Sequence, residues 1–362
     1  MDKRMKSQQW IRVWMLTVII PVLSIGVVNY LVDPLWSFGH HNRFNAEQSG
    51  FDERQQKSNR LYFSGMEAYD GILLGSSRSS FINQNDFAPM RIYNYAFNGM
   101  QAEEYAGYLE FAKRLNGESL KYVIIGADFA NTMLLPKKYA PPESYIARTT
   151  APLYRFKMLF TLDLLERSLD DIKRARSIPL KHYNRDNVKF RRKLPEPLRI
   201  KQYRKNMIAH TNYFDRRRYE RDPDYFSLLR KIKRENPETR FIVFTSPVSA
   251  DLFVSIIRNR DAEHEYRQWI RGLVDIFEEI YCFMDVNSVT SDLHNYPDDS
   301  HFYPEVGSIL ATKLQSGNFD TEPADFGTPV NRHNVDAFLE SQMRRVTAHR
   351  FDAAYPAEQL LQ

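Results

Sequence analysis

Between residues 69 and 314, short apolar runs alternate with stretches of helical periodicity, and this alternation restricts the fold more than any other feature of the chain. The apolar runs cover residues 69–74, 91–95, 122–125, 241–244 and 281–284. Each is short, rich in β-branched and aromatic residues and bounded by turn residues, which predicts strands. Helical spacing falls between and after them, over residues 101–115, 224–234, 262–280 and 304–314. Strands alternating with helices predict an α/β fold with a mostly parallel sheet and helices on both faces. In such sheets, sites gather at the carboxyl ends of the strands.

Residues 13–32 contain no charged side chain. Twenty such residues are enough to cross a hydrocarbon core of about 30 Å as a helix, and membrane helices tolerate a proline such as Pro21. Lys3, Arg4, Lys6 and Arg12 come before the stretch, so the positive-inside rule keeps residues 1–12 in the cytoplasm and exports the rest. The stretch is longer than a secretory apolar region of about 7–15 residues, and Asn29-Tyr30-Leu31-Val32-Asp33-Pro34 offers no small-residue cleavage site. The expectation is an uncleaved, single-pass signal anchor. Trp10, Trp14 and Trp36 flank it at positions that suit the membrane interface.

Residues 33–68 read as a polar, irregular lead-in to an α/β domain over 69–317, and residues 318–362 as a tail with one short helix near 335–346. An insertion over about 132–222 separates the third strand from the fourth, beginning with a helical pattern at 153–172. Within it, residues 171–220 carry 16 Lys/Arg against 5 Asp/Glu, a net +11 in a chain of net +5, so the remainder stands at −6. A local basic block is either a solvated, irregular surface or a contact for an anionic polymer or lipid. Nucleic acid is not expected as a partner, because no recognition motif is visible and the topology places the block outside the cytoplasm. The single cysteine, Cys282, lies in an apolar run and predicts a buried thiol. No metal-ligand spacing appears and no cofactor is implied.

Two segments carry chemistry. In Ile72-Leu73-Leu74-Gly75-Ser76-Ser77-Arg78-Ser79 a buried strand runs into glycine and small hydroxyl residues. A serine at that turn sits at the sheet's carboxyl edge with its own N–H free, so one residue supplies both nucleophile and oxyanion donor. In Tyr296-Pro297-Asp298-Asp299-Ser300-His301, Asp298 and His301 are three residues apart, and one turn lets the carboxylate orient the imidazole. Asp299 competes with Asp298 for that role, and His294 with His301.

Together these segments resemble the SGNH (GDSL-like) hydrolase and acyltransferase superfamily. The first block, G-D-S-x-S in the family, is similar to Gly75-Ser76-Ser77-Arg78-Ser79, with Ser76 in place of the usual Asp; the last, D-x-x-H, matches Asp298-Asp299-Ser300-His301. The resemblance implies a three-layer, flavodoxin-like α/β/α fold with Ser77, His301 and Asp298 as the catalytic triad. It makes the N–H groups of Ser77 and Gly99 the oxyanion donors, the latter within Asn94-Tyr95-Ala96-Phe97-Asn98-Gly99. The third block, normally G-x-N, reads Gly126-Ala127-Asp128. An ionised Asp128 cannot donate a hydrogen bond to an oxyanion. Either it is protonated, or it has a different role, or turnover is weak. Arg78 is placed either to bind an anionic substrate or to pack locally.

With the anchor, the chain looks like the membrane-anchored cell-envelope branch of this superfamily, the alginate O-acetyltransferase-like and teichoic-acid D-alanylation proteins. That implies a periplasmic serine esterase or O-acyltransferase acting on a cell-surface polysaccharide, alongside a multi-span membrane O-acyltransferase. The alternative is a catalytically weak polysaccharide-binding or assembly factor of an exopolysaccharide system, suggested by Asp128 and the basic block.

Overall fold

A computed structural model describes residues 3–134, 136, 138–175, 180–213 and 221–351. Parts of the basic block (176–179 and 214–220), the two residues 1–2 and the end of the tail (352–362) lie outside the described residues. Among the described residues, eight strands follow in chain order: β1 (Gly71–Gly75), β2 (Ile92–Asn94), β3 (Tyr122–Ala127), β4 (Lys181–Tyr183), β5 (Lys189–Arg191), β6 (Arg240–Thr245), β7 (Glu279–Cys282) and β8 (Thr328–Asn331). The chain divides into two compact units, one of residues 1–65 with 143–187 and the other of 66–142 with 188–362.

The first unit begins with the helix Lys3–Val32, whose segment Ser7–Val32 is long and apolar enough to cross a membrane. Trp14, Leu16, Ile20 and Leu23 along it are exposed. Its last turns are packed: Asn29 is buried and donates from Nδ2 to the carbonyls of Leu159 (2.8 Å) and Thr161 (3.2 Å), while Ser168 Oγ donates to Asn29 Oδ1 at 2.8 Å. The pattern at 153–172 predicts one helix, but the chain forms two, Tyr154–Met158 and Leu162–Arg174. The break lies where Asn29 takes the freed carbonyls. Trp36 does not occupy an interface position; it is buried, edge-on to Tyr183.

The polar lead-in is also not irregular throughout. Glu53–Ser64 is a helix, capped by Asp52 Oδ1, which accepts from the Gln55 N–H at 3.2 Å. No apolar stripe announces this helix, because its buried residues are polar or charged apart from Leu61, three of them the amides Gln55, Gln56 and Asn59. Gln55 Nε2 donates to Asn59 Oδ1 (2.9 Å) and Thr149 Oγ1 (2.8 Å), and Asn59 Nδ2 donates to the Leu35 carbonyl (2.9 Å). Gln56 Nε2 donates to the carbonyls of Pro34 and Ser49. Nearby, Arg185 and Asp33 form a buried ion pair at 2.7 Å. Burial raises the Asp33 carboxyl, and the Arg185 charge only partly offsets this.

The second unit holds the six-stranded sheet, in the order β2-β1-β3-β6-β7-β8. The first five strands are parallel and β8 runs antiparallel to β7. Strand order reverses between β1 and β3, which are paired as far as Gly75 and Gly126, so the connections that leave their carboxyl ends part and leave a crevice. Leu73, Ile124 and Ile242 form one row across three strands and pack with Leu310 and Leu314 of the helix Pro304–Ser316. The alternate residues Ile72, Leu74, Val123, Ile125 and Val243 are buried as well, so both faces of the sheet are covered. The helices Ala102–Asn116, Tyr225–Glu235 and Arg260–Phe277 fall within two to three residues of the positions given by helical spacing. Cys282 is buried. β8 was not legible in the tail: Pro329 and its turn-forming neighbours read as loop, and a proline is acceptable because the strand is at the sheet edge.

Candidate active site

β1 ends at Gly75, and the chain turns at once into the short 3-10 helix Ser79–Phe81. This turn seats the Ser79 side chain against two glycines. A Cβ at Gly75 would lie 2.3 Å from Ser79 Oγ, and one at Gly126 on the neighbouring strand would lie 2.0 Å from the same atom. Asn94, at the end of β2, then fixes the turn. Its Nδ2 donates to the carbonyls of Ser79 (3.0 Å) and Ile82 (2.8 Å), and its own N–H is taken by Gln84 Oε1 at 2.8 Å. Ser77 is thereby held at the carboxyl edge of β1, half-buried.

Ser77 Oγ lies 2.9 Å from His301 Nε2, and His301 Nδ1 lies 2.9 Å from Asp298 Oδ1. The same carboxylate oxygen accepts the backbone N–H groups of Ser300 (3.1 Å) and His301 (2.8 Å). Burial alone would raise the Asp298 carboxyl. The hydrogen bond and charge of His301, with Arg191, outweigh this and hold it well below the ordinary carboxylate value. An ionised Asp298 accepts from Nδ1–H, so Nε2 carries the lone pair that faces the serine hydroxyl.

The other oxygen, Asp298 Oδ2, lies 3.3 Å from Arg191 Nη2. Arg191 is in β5, inside the stretch read as a basic insertion. That stretch is therefore not wholly a solvated surface. Lys189 Nζ donates to Ser80 Oγ at 3.0 Å, and Arg199 Nη1 donates to the Leu293 carbonyl at 2.5 Å. All three cations carry out structural work near the triad, and a count of charges could not have shown it.

The rivals named from sequence are separated. Asp299 turns away from His301 and takes His210 instead, with Oδ2 2.8 Å from Nδ1. Burial raises the Asp299 carboxyl, and His210 offsets only part of that. His294 is largely exposed and pairs with Asp292. His210, on the helix Glu196–Tyr213, is a site residue that sequence reasoning missed, since nothing in its neighbourhood links it to position 299.

Gly99 follows β2 in a loop brought to the end of β1 by the Phe97 N–H, which donates to the Gly75 carbonyl at 3.1 Å. It has φ +62°, a left-handed conformation that glycine adopts without penalty. Among the described residues, neither the Ser77 nor the Gly99 N–H is used in a hydrogen bond within the chain. Asp128 directly follows β3 and is buried, with Arg78 Nη1 3.2 Å from its Oδ1. Arg78 Nε also donates to the Ser300 carbonyl at 2.8 Å, so this guanidinium ties the serine turn to the histidine loop.

A cavity of about 270 Å³ opens beside Arg78. Its polar lining is Arg78, Asp128, His210 and Ser246, and Phe129, Leu252, Ile256 and Met284 contribute apolar wall. Among the described residues, no group of three His, Cys, Asp or Glu side chains is placed to hold a metal ion. Chemically, the arrangement can move a proton from a serine hydroxyl to an oriented imidazole; of the residues at the serine turn, Arg78 reaches the cavity wall. No protein-family model, no curated protein and no solved structure matches this chain.

Proposed function

We propose that the chain is a serine esterase or O-acyltransferase of the SGNH type, with Ser77 as nucleophile and His301 as base. The carrying observation is the unbroken relay Ser77 Oγ to His301 Nε2 to Nδ1 to Asp298, 2.9 Å at each step. Ser77 attacks an ester carbonyl while His301 takes its proton; the N–H groups of Ser77 and Gly99 hold the oxyanion; His301 then protonates the leaving alcohol. Water or a second hydroxyl, deprotonated by His301, releases the acyl group from Ser77. The parallel strand order, reversing between β1 and β3, fits the three-layer flavodoxin-like fold that the motifs imply.

The N-terminal helix serves as a single-pass anchor in the bacterial inner membrane, with residues 1–12 in the cytoplasm and the chain after residue 32 on the periplasmic side. The substrate class is an acylated cell-surface polysaccharide, handled beside a multi-span membrane O-acyltransferase. Fluorophosphonate labelling of the full-length protein tests the nucleophile. Wild type labels and Ser77→Ala does not; equal labelling of the two ends the proposal.

One observation favours a second reading, a catalytically weak polysaccharide-binding or assembly factor: a buried carboxylate, Asp128, stands where the family places a donating amide. That reading requires salt-sensitive retention on an anionic polysaccharide through the exposed cations Arg192, Lys201 and Lys205. Reversing these three charges to Glu abolishes retention under it, and leaves retention unchanged if the block is a solvated surface.

A further inference from the structure

The cavity beside Arg78 contains polar groups that the triad does not use. Asp128 is 3 % exposed, and among the described residues neither of its carboxylate oxygens has a hydrogen-bond partner; Arg78 balances its charge from 3.2 Å without completing a hydrogen bond. Ser246, just past the end of β6, is 2 % exposed, and its hydroxyl likewise has no partner among the described residues. His210 joins them on the cavity wall, its Nδ1 on Asp299, so that Nε2 remains to meet a ligand.

These groups constrain what can bind. A carboxylate only accepts hydrogen bonds, so the ligand must bring donors to Asp128. A guanidinium only donates, so the same ligand must present acceptors to Arg78. Serine and neutral histidine do both. An alkyl or acyl chain would leave both Asp128 oxygens desolvated and unpaired. An ammonium group would satisfy Asp128 but meet the charge of Arg78. A hydroxyl both donates and accepts, and several on one ring match the set. At about 270 Å³ the cavity is slightly below the range of about 300–1,000 Å³ common for drug-sized ligands, which suits a single ring.

Resting on the acyl-transfer reading of Ser77, we infer that this cavity is the subsite for one neutral polyhydroxylated ring, the sugar unit that gives or receives the acyl group, with Asp128, Ser246 and His210 binding its hydroxyls. Asp128 then has a role opposite to that of an oxyanion donor: it accepts from the acceptor unit.

The test uses full-length protein in detergent and saturation-transfer NMR with the methyl glycosides of glucose, mannose, galactose and 2-acetamido-2-deoxyglucose. Cyclohexanol and methylammonium serve as controls. At least one glycoside is expected to bind, at least tenfold more weakly to Ser246→Val and His210→Gln, and undiminished to Ser77→Ala. The inference is overturned if no glycoside binds, if either control binds as well as the best glycoside, or if both cavity variants retain wild-type binding. Fluorophosphonate labelling separates the two proposals. Ser77 labelled with every glycoside silent sinks the subsite alone. Ser77 unlabelled with glycoside binding intact sinks the acyl-transfer reading and leaves the subsite standing.

Discussion

The two units reach a buried interior by opposite means. The sheet unit fills its centre with Leu73, Ile124, Ile242, Phe244 and their neighbours, an apolar core whose energy grows with area removed from water. The other unit buries Gln48, Gln55, Gln56 and Asn59 together with the Asp33–Arg185 pair, and joins them through side-chain and backbone hydrogen bonds. An apolar core tolerates a change of shape but suffers from a void. A polar core tolerates neither loss nor substitution of a partner, because each group left behind is buried without water.

The sharpest way to break this contrast is to remove one charge. Arg185→Met leaves the Asp33 carboxylate buried and unpaired, and is expected to cost about 3–5 kcal/mol in the first unit, read from hydrogen exchange of its amides. Adding Asp33→Asn recovers part of the loss, since it removes the unpaired charge and the amide oxygen still accepts the Ser37 N–H, while the Phe38 N–H, which bonds to the other carboxylate oxygen, loses its acceptor. Leu73→Ala opens a void in the sheet unit and costs about 2–5 kcal/mol there by the same measurement. Asn59→Leu keeps the branching and heavy-atom count of the side chain but orphans the Leu35 carbonyl and its Gln55 and Thr149 partners, at about 1–3 kcal/mol. The matching volume-conserving change in the other core, Leu73→Met, stays below about 1.5 kcal/mol. If Asn59→Leu proves as mild as Leu73→Met, the distinction between the two interiors fails.

The smallest effect is one of pH. The folded Asp298 carboxyl lies below its ordinary value of 3.8, so the fold favours the ionised form. Its contribution is fully present above that value and is lost as pH falls through the depressed one. The stability difference between wild type and Asp298→Asn, followed by chemical denaturation, therefore narrows only below about pH 4. Narrowing that begins near neutrality would mean that the carboxyl is not held down by His301 and Arg191.

The same contrast explains what could be read from the chain before its structure. Strands β1, β3, β6 and β7 and the helices between them are written in apolar spacing, and so is the turn that presents Ser77. The amide helix Glu53–Ser64 has no apolar stripe, and β8 hides behind Pro329. At the site, Ser77, Asp298 and His301 lie in compact motifs, whereas Arg191 and His210 reach the neighbouring aspartates from 107 and 89 residues away. Long-range pairing of single charged residues leaves no local pattern to detect. Asp298 and Asp299 look equivalent in sequence, and only their side-chain directions tell them apart.

The anchorage of Asn29 has a mechanical consequence. Its amide, clasped by Leu159, Thr161 and Ser168, leaves no slack segment between the apolar helix and the unit in which it ends. A helix joined by a leash tilts and spins without consequence for what it carries. Here, if the helix is the membrane anchor proposed above, any tilt it takes up becomes the tilt of the amide-cored unit itself, and the two move as one piece.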